Sequence, residues 1–135
     1  MAVKNLAYDH VAYLARCATP MGEIGGGATT QYAKFCAFTT LQAYSAQLTV
    51  TTIGTTTAHG FQVVKISGTA TTALGTATLG TSAVGTTQNL LLTNVSGGVA
   101  LAQGDILAAI SLADAAGKAA VAYEHGILPL SNVTA

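Results

Sequence analysis

The sequence predicts an all-β protein built as an antiparallel β-sandwich or barrel, and three observations predict it. From Lys34 onward, apolar and polar residues alternate in short runs with the period of two expected of half-buried strands. Glycines punctuate those runs, at Gly54, Gly60, Gly68, Gly75, Gly80, Gly85 and the Gly97-Gly98 pair, leaving segments too short for helices. Threonine, β-branched and a poor helix former, supplies much of the polarity between them. No helical pattern alternates with the strands, so a βαβ architecture is excluded.

The elements follow in order. In Asn5–Cys17 the residues Leu6, His10, Tyr13, Leu14 and Cys17 recur at steps of three and four, which predicts a short helix ended by Thr19-Pro20. An extended arm with aromatic anchors is the alternative reading of the same residues. Met21–Thr30, with Gly25-Gly26-Gly27, reads as a flexible joint. Residues 1–30 are thus assigned to an N-terminal arm or helix with its joint, and residues 31–135 to the sandwich.

Within Lys34–Ile53, Phe35 and Leu41 share one parity and Tyr44, Leu48 and Val50 the other, so a bulge or break is expected near Gln42. Gly54–Gly60 is a loop and Phe61–Ser67 a strand. Further strands are expected at Thr71–Leu79 and Gln88–Thr93, with a turn at Gly97-Gly98. Ile106, Ala108, Ile110 and Leu112 alternate with Leu107, Ala109 and Ser111 in another. Asp114–Gly117 is a tight turn, Ala119–Glu124 a strand, and Ile127–Val133 a final strand or tail. The sum is about seven or eight short strands.

Composition narrows the function. Charged residues make up 7% of the 135-residue chain, five basic against five acidic, where an ordinary soluble domain carries about 25%. Between Ile66 and Gly104 there is no charge at all. Nucleic-acid binding needs clustered Lys and Arg and is excluded, as is a polybasic membrane patch. No run is long enough to span a membrane as a helix, and no apolar h-region follows Lys4 to suggest a signal peptide. The two sequons at Asn94 and Asn132 are therefore read as accidental. Cys17 and Cys36 lack metal-ligand spacing and are read as free thiols, with a Cys17–Cys36 bridge as the lesser alternative. So little charge gives little repulsion between copies, which points to a surface covered by partners.

No motif carries chemistry. Gly75–Ser82 places two glycines at phosphate-loop spacing, but Thr81 stands where that loop needs lysine. Ser82 misses the hydrolase elbow, because the following glycine, Gly85, comes one residue late. Ala7-Tyr8-Asp9-His10 is echoed by Ala122-Tyr123-Glu124-His125, and with His59 there are three imidazoles. Neighbouring residues on a strand point to opposite faces, so neither pair converges by itself. No catalytic residue, metal ligand or cofactor is assigned. Tyr8, Tyr13, Arg16, Met21 and Tyr32 crowd the first third and are of types enriched at protein interfaces. They are the candidate contact residues for neighbouring subunits or for a partner protein.

Three stretches carry a resemblance: Tyr8–Gly27 (YDHVAYLARCATPMGEIGGG), the threonine-rich middle, and Val99–Glu124 (VALAQGDILAAISLADAAGKAAVAYE). Together they resemble small virion proteins of tailed bacteriophages, most closely capsid decoration, or cement, proteins. The Gln103-Gly104-Asp105 turn before a strand also resembles turns in trimeric jelly-roll head domains. The resemblance implies a jelly-roll-like sandwich, a homotrimer, and binding to the major capsid protein on the outer head surface after synthesis in the host cytoplasm. It implies no enzymatic activity. A head-fibre or tail-fibre domain that binds a host receptor or glycan is the alternative.

Overall fold

The computed structural model describes residues 16–26, 30–92, 98–112 and 116–127. Nine strands account for most of them: β1 (Arg16–Gly25), β2 (Gln31–Cys36), β3 (Leu41–Thr52), β4 (Gly60–Ser67), β5 (Ala70–Thr78), β6 (Thr87–Leu91), β7 (Val99–Leu101), β8 (Ile106–Leu112) and β9 (Lys118–Ile127). No helix occurs among the described residues. All pairings are antiparallel.

One sheet runs β1-β9-β3-β6, with β7 also on β3, and the other runs β2-β8-β4-β5. β6 pairs with Ser45–Thr49 and β7 with Leu41–Ala43, so the two are successive pieces of one edge strand. Counted so, the neighbours are first with last, second with second-last, and so on inward. That nested order, divided between two packed sheets, is the jelly roll. The expected all-β sandwich is what the chain forms.

The core lies between the sheets. Leu41, Ala43, Ala46, Leu48 and Val50 of β3, with Val121 and Tyr123 beside them on β9, face Phe61 and Val63 of β4 and Leu107 and Ala109 of β8. The parity switch foreseen near Gln42 has two causes. The strand is interrupted between Cys36 and Leu41, and β3 carries a bulge between Ala43 and Ser45 that moves the inward parity from Leu41 and Ala43 to Ala46, Leu48 and Val50. Tyr123 is fully buried and donates its hydroxyl to Ala33 O at 3.0 Å. Burial raises its phenol pKa above the ordinary value. Ala33, at φ 52°, holds a left-handed conformation that a residue with a Cβ rarely adopts, within the irregular stretch of β2 between Tyr32 and Phe35.

The start of the chain needs correction. The helix expected over Asn5–Cys17 lies outside the described residues except for Arg16 and Cys17, which are strand. Thr19-Pro20 does not stop β1, and the supposed joint is strand as far as Gly25. β1 lies at the edge of its sheet, where proline's missing N–H costs no ladder bond. Gly22, at φ 84°, forms the bulge that follows Pro20, and Ile24 reaches the core. The sandwich thus takes in residues 16–25, which the sequence reading gave to the arm and joint. Of the Asp114–Gly117 turn only Ala116 and Gly117 are described, and the expected final strand or tail lies outside the described residues beyond Ile127.

Candidate interaction surfaces

The outward face of the β2-β8-β4-β5 sheet is apolar. Leu107 and Ala109 of β8 belong to the core, as do Phe61 and Val63 of β4. Alternation therefore turns Ile106, Ala108, Ile110 and Leu112 outward, together with Gln62, Val64 and Ile66. The registers align these residues in rows: Ile66 beside Ile106, Val64 beside Ala108, Gln62 beside Ile110, and Gly60 beside Leu112. None of them packs on the core cluster, but Val64 and Ala108 are buried and Ile66, Ile106, Ile110 and Leu112 half-buried, so the middle of this face is not open to water. The flanking strands complete the rows with uncharged residues, Cys36 and Gln31 from β2 and Thr71, Ala73, Thr76 and Thr78 from β5. What this face leaves partly exposed, Ile66, Ile106, Ile110 and Leu112 within a polar, uncharged rim, has the residue types of a protein interface.

The opposite outer face, on β1-β9-β3-β6, holds a shallow groove of about 520 Å³. Ser45, Gln47, Asn89 and Glu124 line it with Ala18, Ala122 and Leu91. Ser45 Oγ donates to Glu124 Oε1 at 3.1 Å. Leu91 is 70% exposed. Amides, a hydroxyl and one carboxylate can exchange hydrogen bonds with a hydroxyl-rich ligand.

The Gln103-Gly104-Asp105 turn is structural. Asp105 is buried, its Oδ2 accepts the Ala102 N–H at 2.9 Å, and Lys65 Nζ stands 3.6 Å away. The backbone bond from Ala102, then a hydrogen bond from Ser67 and the Lys65 charge, hold the Asp105 carboxyl below the usual carboxylate range against a smaller cost of burial. Lys65 also donates to Ala100 O at 3.1 Å. Asp105 O accepts from Ala37 N, and Ala37 O accepts from Gly104 N, both at 2.8 Å. One turn so ties the ends of β2, β4, β7 and β8.

The histidines do not converge. His10 lies outside the described residues. His59 is buried edge-on to Phe61, with ring centroids 5.2 Å apart, and neither ring nitrogen has a hydrogen-bond partner among the described residues. His125 Nε2 lies 2.7 Å from Thr19 Oγ1, and its ring packs 4.7 Å from that of Phe35. Desolvation lowers its pKa, favouring the neutral imidazole. No group of three metal-ligating side chains occurs among the described residues. Cys17 and Cys36 are free and exposed.

Of the contact residues predicted from sequence, Tyr8 and Tyr13 lie outside the described residues, and Arg16 opens β1. Met21 and Tyr32 are half-buried against the core. They sit on the neighbouring edge strands β1 and β2, apart from the apolar outer face. Sequence reading passed over that face, although its signal, apolar residues in both parities of β8, was visible.

No family model and no curated protein matches the sequence. A chain from the structure of infectious bursal disease virus, Gx strain, is similar over 83% of this chain and 32% of that one, at 12% identity and a TM-score of 0.43. This chain thus spans about a third of that chain's length.

Proposed function

We propose that this chain is a non-enzymatic structural virion protein that binds the outer surface of a phage head and cements it. The apolar outer face of the β2-β8-β4-β5 sheet carries the reading. Ile66, Ile106, Ile110 and Leu112 lie outside the core cluster and keep part of their apolar surface exposed. Covering what remains exposed of each is worth a few tenths to about 1 kcal/mol. No single residue anchors such a contact, so the whole face must be covered at once, as by a flat protein neighbour. A protein that binds only the assembled lattice stabilises it by mass action, and many copies reinforce one another. The resemblance in sequence supplies the major capsid protein as partner and a homotrimer as the bound form.

Sedimentation with undecorated heads tests the proposal. The expected result is saturable co-sedimentation at micromolar concentration and heads that withstand more heat or chelator. Protein left wholly in the supernatant refutes it. A receptor-binding fibre domain is the second reading, favoured by the polar groove at Gln47, Asn89 and Glu124. Binding to a glycan array that is lost in Asn89→Ala, without binding to heads, would establish that reading instead.

A further inference from the structure

The outer face of the β2-β8-β4-β5 sheet holds a burial that its own strands do not explain. Val64 is 1% exposed and Ala108 0%, yet neither belongs to the core cluster between the sheets. Across the ladder Val64 stands between Ala108 of β8 and Ala73 of β5. An alanine side chain ends at its Cβ and cannot screen the methyls of a neighbouring valine, so the screen lies above the sheet. It is narrow. Ile66, Ile106, Ile110 and Leu112 are half-buried, while Thr71, Ala73 and Thr76 on β5 and Gln31 and Cys36 on β2 are exposed. The burial is that of a single chain, so the cover belongs to the chain itself.

No described element supplies it. The nine strands all lie in the two sheets. Gly68 and Thr69 join β4 to β5 in a tight turn, and the connections 37–40, 53–59, 79–86 and 102–105 pass from one sheet to the other. Of the rest of the chain, 27–29, 93–97 and 113–115 are short and held at both ends by the strands they join. Only the two ends of the chain are free to reach this face.

We propose that residues 1–15 lie across it and cover Val64 and Ala108. The places where the two ends leave the sandwich select between them. β1 begins at Arg16, opposite Gly126, at the corner where Phe35 of β2 packs against His125. From there the chain has only to round the β2 edge. With sheets about 10 Å apart and strands about 4.8 Å apart, the path to Val64 is about 25 Å. Fifteen extended residues reach about 50 Å, which leaves half of them to lie on the face. The residues after Ile127 reach about 26 Å at most, start one strand farther from that edge, and are spent on the way. Residues 1–15 also bring Leu6, Tyr8, Val11, Tyr13 and Leu14 to an apolar face, against two charges, Lys4 and Asp9. The inference concerns the free chain and does not rest on attachment to a head; a head that binds this face takes the arm's place.

Photo-crosslinking of the full chain tests it, with benzoylphenylalanine in place of Gln62, which is half-buried on this face beside Ile110. The expected product keeps the monomer mass of 13.5 kDa and maps to residues 1–15. The same probe in place of Asn89, on the opposite outer face, gives no product with that segment. Crosslinks from position 62 to residues 128–135, crosslinks between chains, or no crosslink at all overturn the proposal. Hydroxyl-radical footprinting gives a second reading free of the probe. In the full-length variant Leu6→Asp/Val11→Asp/Leu14→Asp, oxidation of Val64 and Ile110 should rise severalfold, while that of Leu91, already exposed on the other sheet, should stay the same. Unchanged oxidation of Val64 overturns the proposal equally.

Discussion

The contact between Gly117 and His59 allows a worked prediction. A Cβ built on Gly117 would stand 2.6 Å from His59 Cδ2 and 2.7 Å from Cε1, and would meet Nε2 closer still. Carbon atoms in contact prefer about 3.5–4.0 Å, so the imidazole would have to retreat by about 1 Å. It has nowhere to go, being 1% exposed and set edge-on to Phe61. Overpacking of this kind costs about 1–3 kcal/mol, and a rigid, enclosed ring puts Gly117→Ala near 3 kcal/mol. The φ of Gly117 is outside the left-handed region, so backbone strain adds nothing and the cost is steric. For a chain of this length each kcal/mol lowers the melting temperature by about 4 °C, giving a drop of about 12 °C. His59→Ala leaves a cavity and costs about 1–2 kcal/mol. In the double variant the new methyl enters the vacated space. The pair should therefore couple by about 2–3 kcal/mol in urea unfolding, with the double variant nearly as stable as His59→Ala alone. Costs that add within about 0.5 kcal/mol would refute the account of why residue 117 is glycine.

Three further predictions follow from the same geometry. Asp105 has its carboxyl pKa lowered below 3.8 in the folded chain, so its contribution to stability is complete above that value and is lost as pH falls through the folded pKa. Urea midpoints measured across the acid range should fall less steeply in Asp105→Asn, which should also be the less stable protein at neutral pH. Ala33→Gly should relieve the left-handed strain and raise stability by up to about 1 kcal/mol, whereas Tyr123→Phe should lower it by about 1 kcal/mol by removing the hydroxyl bonded to Ala33 O; thermal melts of both variants check the signs. Ile110→Ser, on the outer face, should change the melting temperature of dilute protein by no more than about 2 °C while weakening attachment to heads in the sedimentation assay.

The strands β3 to β6, β8 and β9 were legible because one face of each sheet is packed and the alternation survives, whereas the three-residue β7 was not foreseen. Phe61 to Ser67 and Ile106 to Leu112 are examples. What alternation could not give was the inward parity of β8, since Ile106, Ile110 and Leu112 are more apolar than Leu107, Ala109 and Ser111. The structure turns the smaller set inward because Val63 lies beside Ala109 and Phe61 beside Ser111. With Phe61, Leu48 and Tyr123 fully buried, that space holds small neighbours. β1 was missed for a different reason. Proline and glycine signal breaks in a central strand or helix, but at an edge they mark a bulged strand that needs no ladder bond on one side. His59 illustrates the same limit. Its chemistry suggested a ligand, yet its environment comes from Phe61 and Gly117, and only the fold brings Gly117 there.

Scarcity of charge and the architecture have one physical cause in common. A jelly roll presents two outer sheet faces, and in a lone soluble protein those faces are where lysine and glutamate usually fall. Here several of the described charges pair within the sandwich: Lys65 with Asp105, Lys118 beside Glu23 at 3.9 Å, and Glu23 also accepting from Thr51. Glu124 is bonded to Ser45 within the groove. Threonine replaces charge on the remaining strand surface, giving water a hydroxyl without giving neighbouring molecules a reason to repel. Such a surface costs little to desolvate and pairs with itself as readily as with another sheet. Added charge on the outer faces would lengthen the life of the free protein in solution at the expense of every contact proposed above, so solubility and attachment should trade against each other across a series of surface lysine variants.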